Sequence, residues 1–153
     1  MKMGEERAVV LEKFFEIAAT LACGIFTGAA VYINLVEHPA RMKCGARLAV
    51  TEFSPSYHRA AVMQASLAVF GFLTATATWL MDGSRWWLVG GIILVTVVPY
   101  TLVAIMPTNR QLLDPDLDKD SVLAHRLLRK WNRLHAVRSL LSFIAFLIFI
   151  LVR

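Results

Sequence analysis

Apolar residues in this chain come in runs about twenty positions long, without the alternation of a half-buried strand. The windows 60–80, 86–106 and 134–152 are almost free of charge, and a fourth, 14–36, has the length but carries Glu16 and Asn34. A helix crossing about 30 Å of hydrocarbon needs about 20 mostly apolar residues. The pattern therefore predicts an all-α fold, a four-helix transmembrane bundle forming a single integral membrane domain over residues 1–153. A membrane barrel is excluded, since its strands read as alternating segments of about ten residues. The first window is too long for a signal-peptide core of about 7–15 residues, so the mature chain is expected to keep it.

Proline and glycine punctuate these runs. Proline cannot donate to the preceding helical turn and biases the residue before it away from the helix. Pro39 is thus expected to stop the first helix and Pro107 the third, with a kink at Pro99, while Phe53-Ser54-Pro55-Ser56-Tyr57 breaks the chain before span two. Met81-Asp82-Gly83-Ser84-Arg85 predicts a tight turn that makes spans two and three antiparallel neighbours. Asp120-Ser121 caps a segment where Val122, Leu123, Leu127, Leu128, Trp131 and Leu134 recur at helical spacing, with Arg126, Arg129, Lys130 and Arg133 expected on the other side. That is an amphipathic interfacial helix leading into span four. Residues 41–52 are a weaker candidate for a second one.

Composition agrees with the membrane reading. Of 153 residues, 58% are hydrophobic and 18% charged, against about 45–50% and about 25% in soluble domains. Cys23 and Cys44 form no metal-binding or redox pair. The net charge of +5 would raise nucleic acid as a partner, but most of the cations sit in the two long connections. Ten of them (Arg41, Lys43, Arg47, Arg59, Arg110, Lys119, Arg126, Arg129, Lys130, Arg133) face five (Lys2, Arg7, Lys13, Arg85, Arg153) on the other side. By the positive-inside rule the long connections are expected in the cytosol and both termini opposite, with lipid headgroups rather than nucleic acid as the partner.

Ionisable groups at membrane depth are costly and mark sites or pairs. Because alternate spans run in opposite directions, Glu37 and His38, His58 and Arg59, Asn109, and His135 and Arg138 all fall at one end of the bundle. Trp131, His135 and Arg138 share a face of span four, and Asn34, Glu37 and His38 are brought toward it by helical spacing in span one. Gln64 and Asn109 add neutral hydrogen-bonding groups. Arg138 either snorkels to the headgroups or pairs with Glu37, and Glu16 snorkels at the opposite interface. Trp86 and Trp87 read as an aromatic belt. The Gly24-x-x-x-Gly28 pair reads as a helix-packing face, one that would serve a homo-oligomer. No metal-ligand spacing lies on one helix, so no cofactor is expected. A metal ion would need His38, His58 and His135 to converge from three helices. No nucleophile motif and no phosphate-binding glycine loop are present.

Glu37-His38-Pro39-Ala40, the Tyr57 to Gln64 stretch, Pro99-Tyr100, Pro107-Thr108-Asn109 followed by Leu112-Leu113, and Trp131-x-x-x-His135-x-x-Arg138 occur in an order that resembles the DUF1772, or anthrone oxygenase-like, family of small four-span membrane proteins. The resemblance covers about residues 18–149. It implies a four-helix membrane bundle and, by way of the family's fungal members, oxidation of anthrones to anthraquinones without an obligatory metal. On that reading His135 is the base, Arg138 and Asn109 stabilise the enolate oxygen, and Glu37 orients His135 or pairs with Arg138. Trp131 and Tyr100 stack a flat substrate, while His38, Asn34 and Gln64 complete its site. Two other readings stand beside it: a protein that binds or moves a small hydrophobic molecule or lipid, and an assembly subunit working through the Gly24/Gly28 face.

Overall fold

The computed structural model describes residues 2–153 and the side chains of 3–153; the Lys2 side chain, counted above among the five opposite cations, lies outside them. Every regular element is helical: α1 (Lys2–Tyr32), α2 (His38–Lys43), α3 (Ala46–Asp82), α4 (Arg85–Tyr100), α5 (Met106–Leu112) and α6 (Val122–Val152), with π-helical segments at Ile33–Glu37 and Thr101–Ile105. Four continuous helices are long and apolar enough to cross a membrane: Met3–Lys43, Ala46–Asp82, Arg85–Leu112 and Val122–Val152. The first, at 41 residues and 1.5 Å per residue, is about 60 Å long and overruns the hydrocarbon at both ends.

The helices pack in a ring, α1 on α3, α3 on α4, α4 on α6, and α6 back on α1. This is the up-down-up-down order that short connections favour. At the α3–α4 turn Gly83 takes φ 78° and its N–H reaches Trp79 O at 2.9 Å, while Ser84 N bonds Asp82 Oδ1 at 2.9 Å. Only glycine enters that left-handed conformation without strain. As expected, Ser121 caps α6, accepting from Ala124 N at 3.1 Å, and α6 runs without a break from its amphipathic half into span four. The two long connections are pinned together by Arg47 and Asp120. The hydrogen bond and charge of Asp120 hold the Arg47 guanidinium above its ordinary pKa.

The prolines do not stop the helices. Ahead of Pro39 the chain widens into the Ile33–Glu37 π segment, where His38 N–H bonds Ile33 O, and Pro39 then sits in the first turn of α2. A first-turn proline loses no intrahelical bond. The same device recurs at Pro107, where Met106 N–H bonds Thr101 O. Pro99 lies at the end of α4, two residues before that second π segment begins. The break expected at 53–57 is also absent, because α3 carries Pro55 in its interior. Phe53, beside it, is buried against Tyr57 and Trp131, so tertiary packing outweighs the single lost bond.

Two apolar cores result. The first, inside the bundle, holds Phe26, Ala68, Trp87, Leu94, Val97 and Phe149. Its close approaches are made by Gly90 beneath the Phe149 ring and Gly24 beneath Phe146, so Gly24 packs within the chain, whereas Gly28 is open. Trp86 is exposed as a belt residue would be, but Trp87 is fully buried and stacks on Phe149 at 5.2 Å. Adjacent helical residues point about 100° apart, so both cannot face the same interface. Glu16 does not snorkel either. It is buried, and Lys13 Nζ reaches its carboxylate at 2.8 Å. The second core lies at the end bearing the long connections and joins Val50, Phe53, Ile105, Leu127, Leu128 and Trp131.

Candidate functional site

Between the two cores lies a cavity of about 230 Å³ whose polar lining comes from all four spans: Arg41, Ser56, Tyr57, Gln64, Thr101, Asn109, His135 and Arg138. The remaining wall is apolar, with Phe26, Phe53, Val97, Ile105 and Trp131. No carboxylate lines it among the described residues, while two guanidinium groups do.

His135 is 2% exposed, one turn below Trp131, whose indole stacks on the imidazole at 4.7 Å. Behind it stands Asn34, in the first π segment. Asn34 Nδ2 donates to Asn132 O at 3.1 Å and Asn132 Oδ1 at 2.7 Å, so the Asn34 oxygen must face the other way. There Oδ1 accepts from Ser139 Oγ at 2.6 Å and lies 2.8 Å from His135 Nδ1. An amide oxygen only accepts, so the neutral ring carries its proton on Nδ1 and keeps the lone pair on Nε2.

Arg138 neither snorkels nor meets Glu37. Its Nη2 donates to Gln64 Oε1 at 2.6 Å and its guanidinium lies 5.4 Å from the Phe26 ring centre, with no acidic partner among the described residues. Glu37 is instead bound to Arg41, with Ser56 Oγ at 3.4 Å, and Arg41 Nε lies 3.0 Å from Glu52 Oε2. Glu37 therefore neither orients His135 nor reaches the cavity wall. Asn109 is 1% exposed with both amide atoms free of protein partners, and so is Gln64 Nε2.

The structure thus brings His135, Arg138, Asn109, Gln64 and Trp131 together on one cavity, and places Asn34 directly behind His135. It sets His38 apart, buried with its ring 5.5 Å from Trp131 and outside the cavity lining. Tyr100 is also removed from the cavity, donating to Leu134 O at 3.2 Å. Tyr57 takes the aromatic place expected of Tyr100, parallel to Phe53 at 5.7 Å and with its hydroxyl 3.7 Å from Met106 Sδ. His58 is exposed beside Tyr57, so His38, His58 and His135 do not converge. Among the described residues no three His, Cys, Asp or Glu side chains come together as metal ligands. Ser139 and Asn132 went unnoticed in the sequence and Arg41 was read only as one of the cations of the connections, although each stands three or four residues from a singled-out one: Arg41 from Glu37, Ser139 and Asn132 from His135.

Residues 53–148, which supply the α3, α4, α5 and α6 walls of this cavity, match the family model described as anthrone oxygenase. The chain belongs to the anthrone oxygenase family. Among its relatives is the anthrone oxygenase dmxR16 of Cryptosporiopsis sp. (strain 8999), 26% identical over 155 aligned positions that cover 94% of this chain and 84% of that one. An anthrone oxygenase of Claviceps purpurea (strain 20.1) is 27% identical over 137, covering 79% and 78%. No solved structure matches the chain. The family's match begins at Phe53, so Asn34, Glu37, His38 and Arg41 come from outside it, on the helix that closes the ring.

Proposed function

We propose that this protein oxidises a small aromatic ketone of the anthrone type with dioxygen in the cavity between the two cores. The observation that carries this reading is His135: a ring on the cavity wall, stacked under Trp131, with Nδ1 tied to Asn34 and the lone pair of Nε2 left for a proton. Membership of the anthrone oxygenase family supports it, and so do the relatives' names.

The chemistry balances without a further co-reactant. An anthrone CH2 is acidified by the ring carbonyl it conjugates with. Nε2 of His135 takes one proton, and the electron pair of that C–H bond spreads onto the carbonyl oxygen as an enolate. Arg138, a cation without a protein counter-ion, and the free amide of Asn109 are placed to stabilise this negative charge. Dioxygen accepts the carbanion's electrons, a C–O bond forms, and the proton held by His135 completes a hydroperoxide. Loss of water across the H–C–O–OH unit leaves the second carbonyl: one dioxygen is consumed and one water released per quinone. The cavity is smaller than the usual ligand pocket of about 300–1,000 Å³, which restricts it to one small flat ligand. Trp131 and Tyr57 provide stacking surfaces for it.

The test is turnover of anthrone by the full chain in lipid vesicles, followed by quinone absorbance and oxygen uptake. His135→Ala is expected to lower kcat by about 10²-fold or more, the usual contribution of a general base. A folded His135→Ala protein with undiminished turnover would overturn the proposal.

A further inference from the structure

Two sides of the cavity are closed by packed residues. Toward the bundle interior stand Phe26 and Val97 of the first core, and toward the aqueous end stand Phe53, Ile105 and Trp131 of the second. The residues of that second core are buried, and Tyr57 bridges α3 to Met106 in front of it. A solute arriving from water at this end would have to part all of these contacts.

A third side, between α3 and the end of the α4 span, differs. α3 packs along α4, but the π segment Thr101–Ile105 that continues α4 leans on α6 and barely touches α3. The cavity is bounded across this gap by small residues of α3, Ala61 and Ala65, and by Thr101 and Leu102 of the π segment. Ala65 is exposed and Leu102 is 59% exposed, so these lining residues also form the outer surface. The surface around them is apolar: Val62 is 71% exposed and Val103 78%. Both sides lie at membrane depth, about five residues into span two and four into span three, or about 6–8 Å below the interface at 1.5 Å per residue.

The geometry points to a lateral portal between α3 and the π segment, through which a membrane-dissolved ligand enters the cavity directly from the bilayer. Ala61 and Ala65 set its width, and Leu102 forms its outer lip. The ligand class follows: flat, hydrophobic molecules that partition into lipid, with a polar edge that turns toward Arg138 and Asn109 after entry. Water-soluble conjugates of the same ring system are excluded, because a charged substituent would have to cross the apolar rim. The inference rests on the reading of the cavity as a substrate site, but not on the reaction.

The experiment therefore measures entry apart from turnover. The full chain in vesicles is mixed with 1,8-dihydroxyanthraquinone, an unreactive planar probe dissolved in the lipid, and its association is followed by quenching of tryptophan fluorescence. Ala65→Phe and Leu102→Phe, both at exposed positions of the rim, are expected to slow association about tenfold or more. Val50→Ala, which loosens the aqueous plug without touching the cavity, is expected to leave the rate within about twofold. Unchanged association in both phenylalanine variants overturns the portal, as does a large acceleration by Val50→Ala, which would place the entrance at the aqueous end. Slow entry in the phenylalanine variants of a protein that does not oxidise anthrone would uphold the portal and sink the oxygenase reading instead. Normal entry together with a dead His135→Ala enzyme would do the reverse.

Discussion

Replacing Asn34 by alanine separates the architecture behind the base from the cavity in front of it. The side chain donates twice to Asn132 and accepts from His135 and Ser139. Hydrogen bonds between membrane helices average about 0.6 kcal/mol in double-mutant cycles. Ser139 keeps an alternative acceptor in His135 O at 3.4 Å, so the effective loss is about three bonds, or about 2 kcal/mol. The Nδ1–H of His135 is left with no partner in a 2% exposed ring, which adds about 1–3 kcal/mol. Asn34→Ala should therefore destabilise the bundle by about 3–5 kcal/mol, read from unfolding in detergent. Its effect on turnover is expected in kcat, not KM, since Asn34 does not line the cavity. With nothing to hold the proton on Nδ1, the ring reorients and places its proton on Nε2 part of the time. A fall of about 10²-fold in kcat is the lower range for a lost general base. Asn34→Asp keeps an acceptor for Nδ1–H and is expected to recover most of that loss, though not the stability, because its carboxylate opposes Asn132 O. A folded Asn34→Ala protein with kcat within twofold of the parent would refute the reasoning, and so would an Asp variant as slow as the Ala variant.

Arg138→Met removes a cation that has no acidic partner, so it is expected to stabilise the fold by about 1 kcal/mol while lowering anthrone turnover about 10²-fold; a simultaneous loss of both would assign the guanidinium to structure alone. Gly90→Ala adds a methyl 2.5 Å from Phe149 Cε1, on a ring already stacked against Trp87. It should cost about 1–3 kcal/mol in thermal unfolding with kcat unchanged, and an equally stable variant would show that the Phe149 ring has room to yield.

The four spans were legible because a bilayer leaves a long apolar run no alternative to a helix. The errors at Pro39, Pro55 and Pro107 have local causes. Pro39 and Pro107 each follow a π turn and sit in a first helical turn, where no intrahelical bond is lost, and Pro55 is carried by the packing of Phe53 against Tyr57 and Trp131. Those π turns then undo the spacing argument for the site. One extra residue in a turn rotates everything beyond it by about 100°. Asn34 and His38, four apart and expected on one face, part company across Ile33–Glu37: Asn34 turns to His135, and His38 to Trp131. Glu37 rotates away from Arg138 and onto Arg41, its own neighbour four residues on. Span four carries no such insertion, and there the spacing of Trp131, His135 and Arg138 held.

The polar groups of this end divide in two. Those behind His135 are satisfied in a closed network of Asn34, Asn132 and Ser139, and the cation of Arg41 is bracketed by two glutamates. Four other atoms at the cavity wall have no protein partner: Gln64 Nε2, both amide atoms of Asn109 and Nε of Arg138. In hydrocarbon each such atom is expensive, and a bundle shaped for stability alone would replace them with leucine or alanine. Their cost is recovered only when a molecule in the cavity presents oxygens to them. Three donors and one acceptor converge there, a set that favours ligands bearing several oxygen acceptors over a plain hydrocarbon. It also binds an enolate better than the ketone it came from, because the unpaired cation is among the donors.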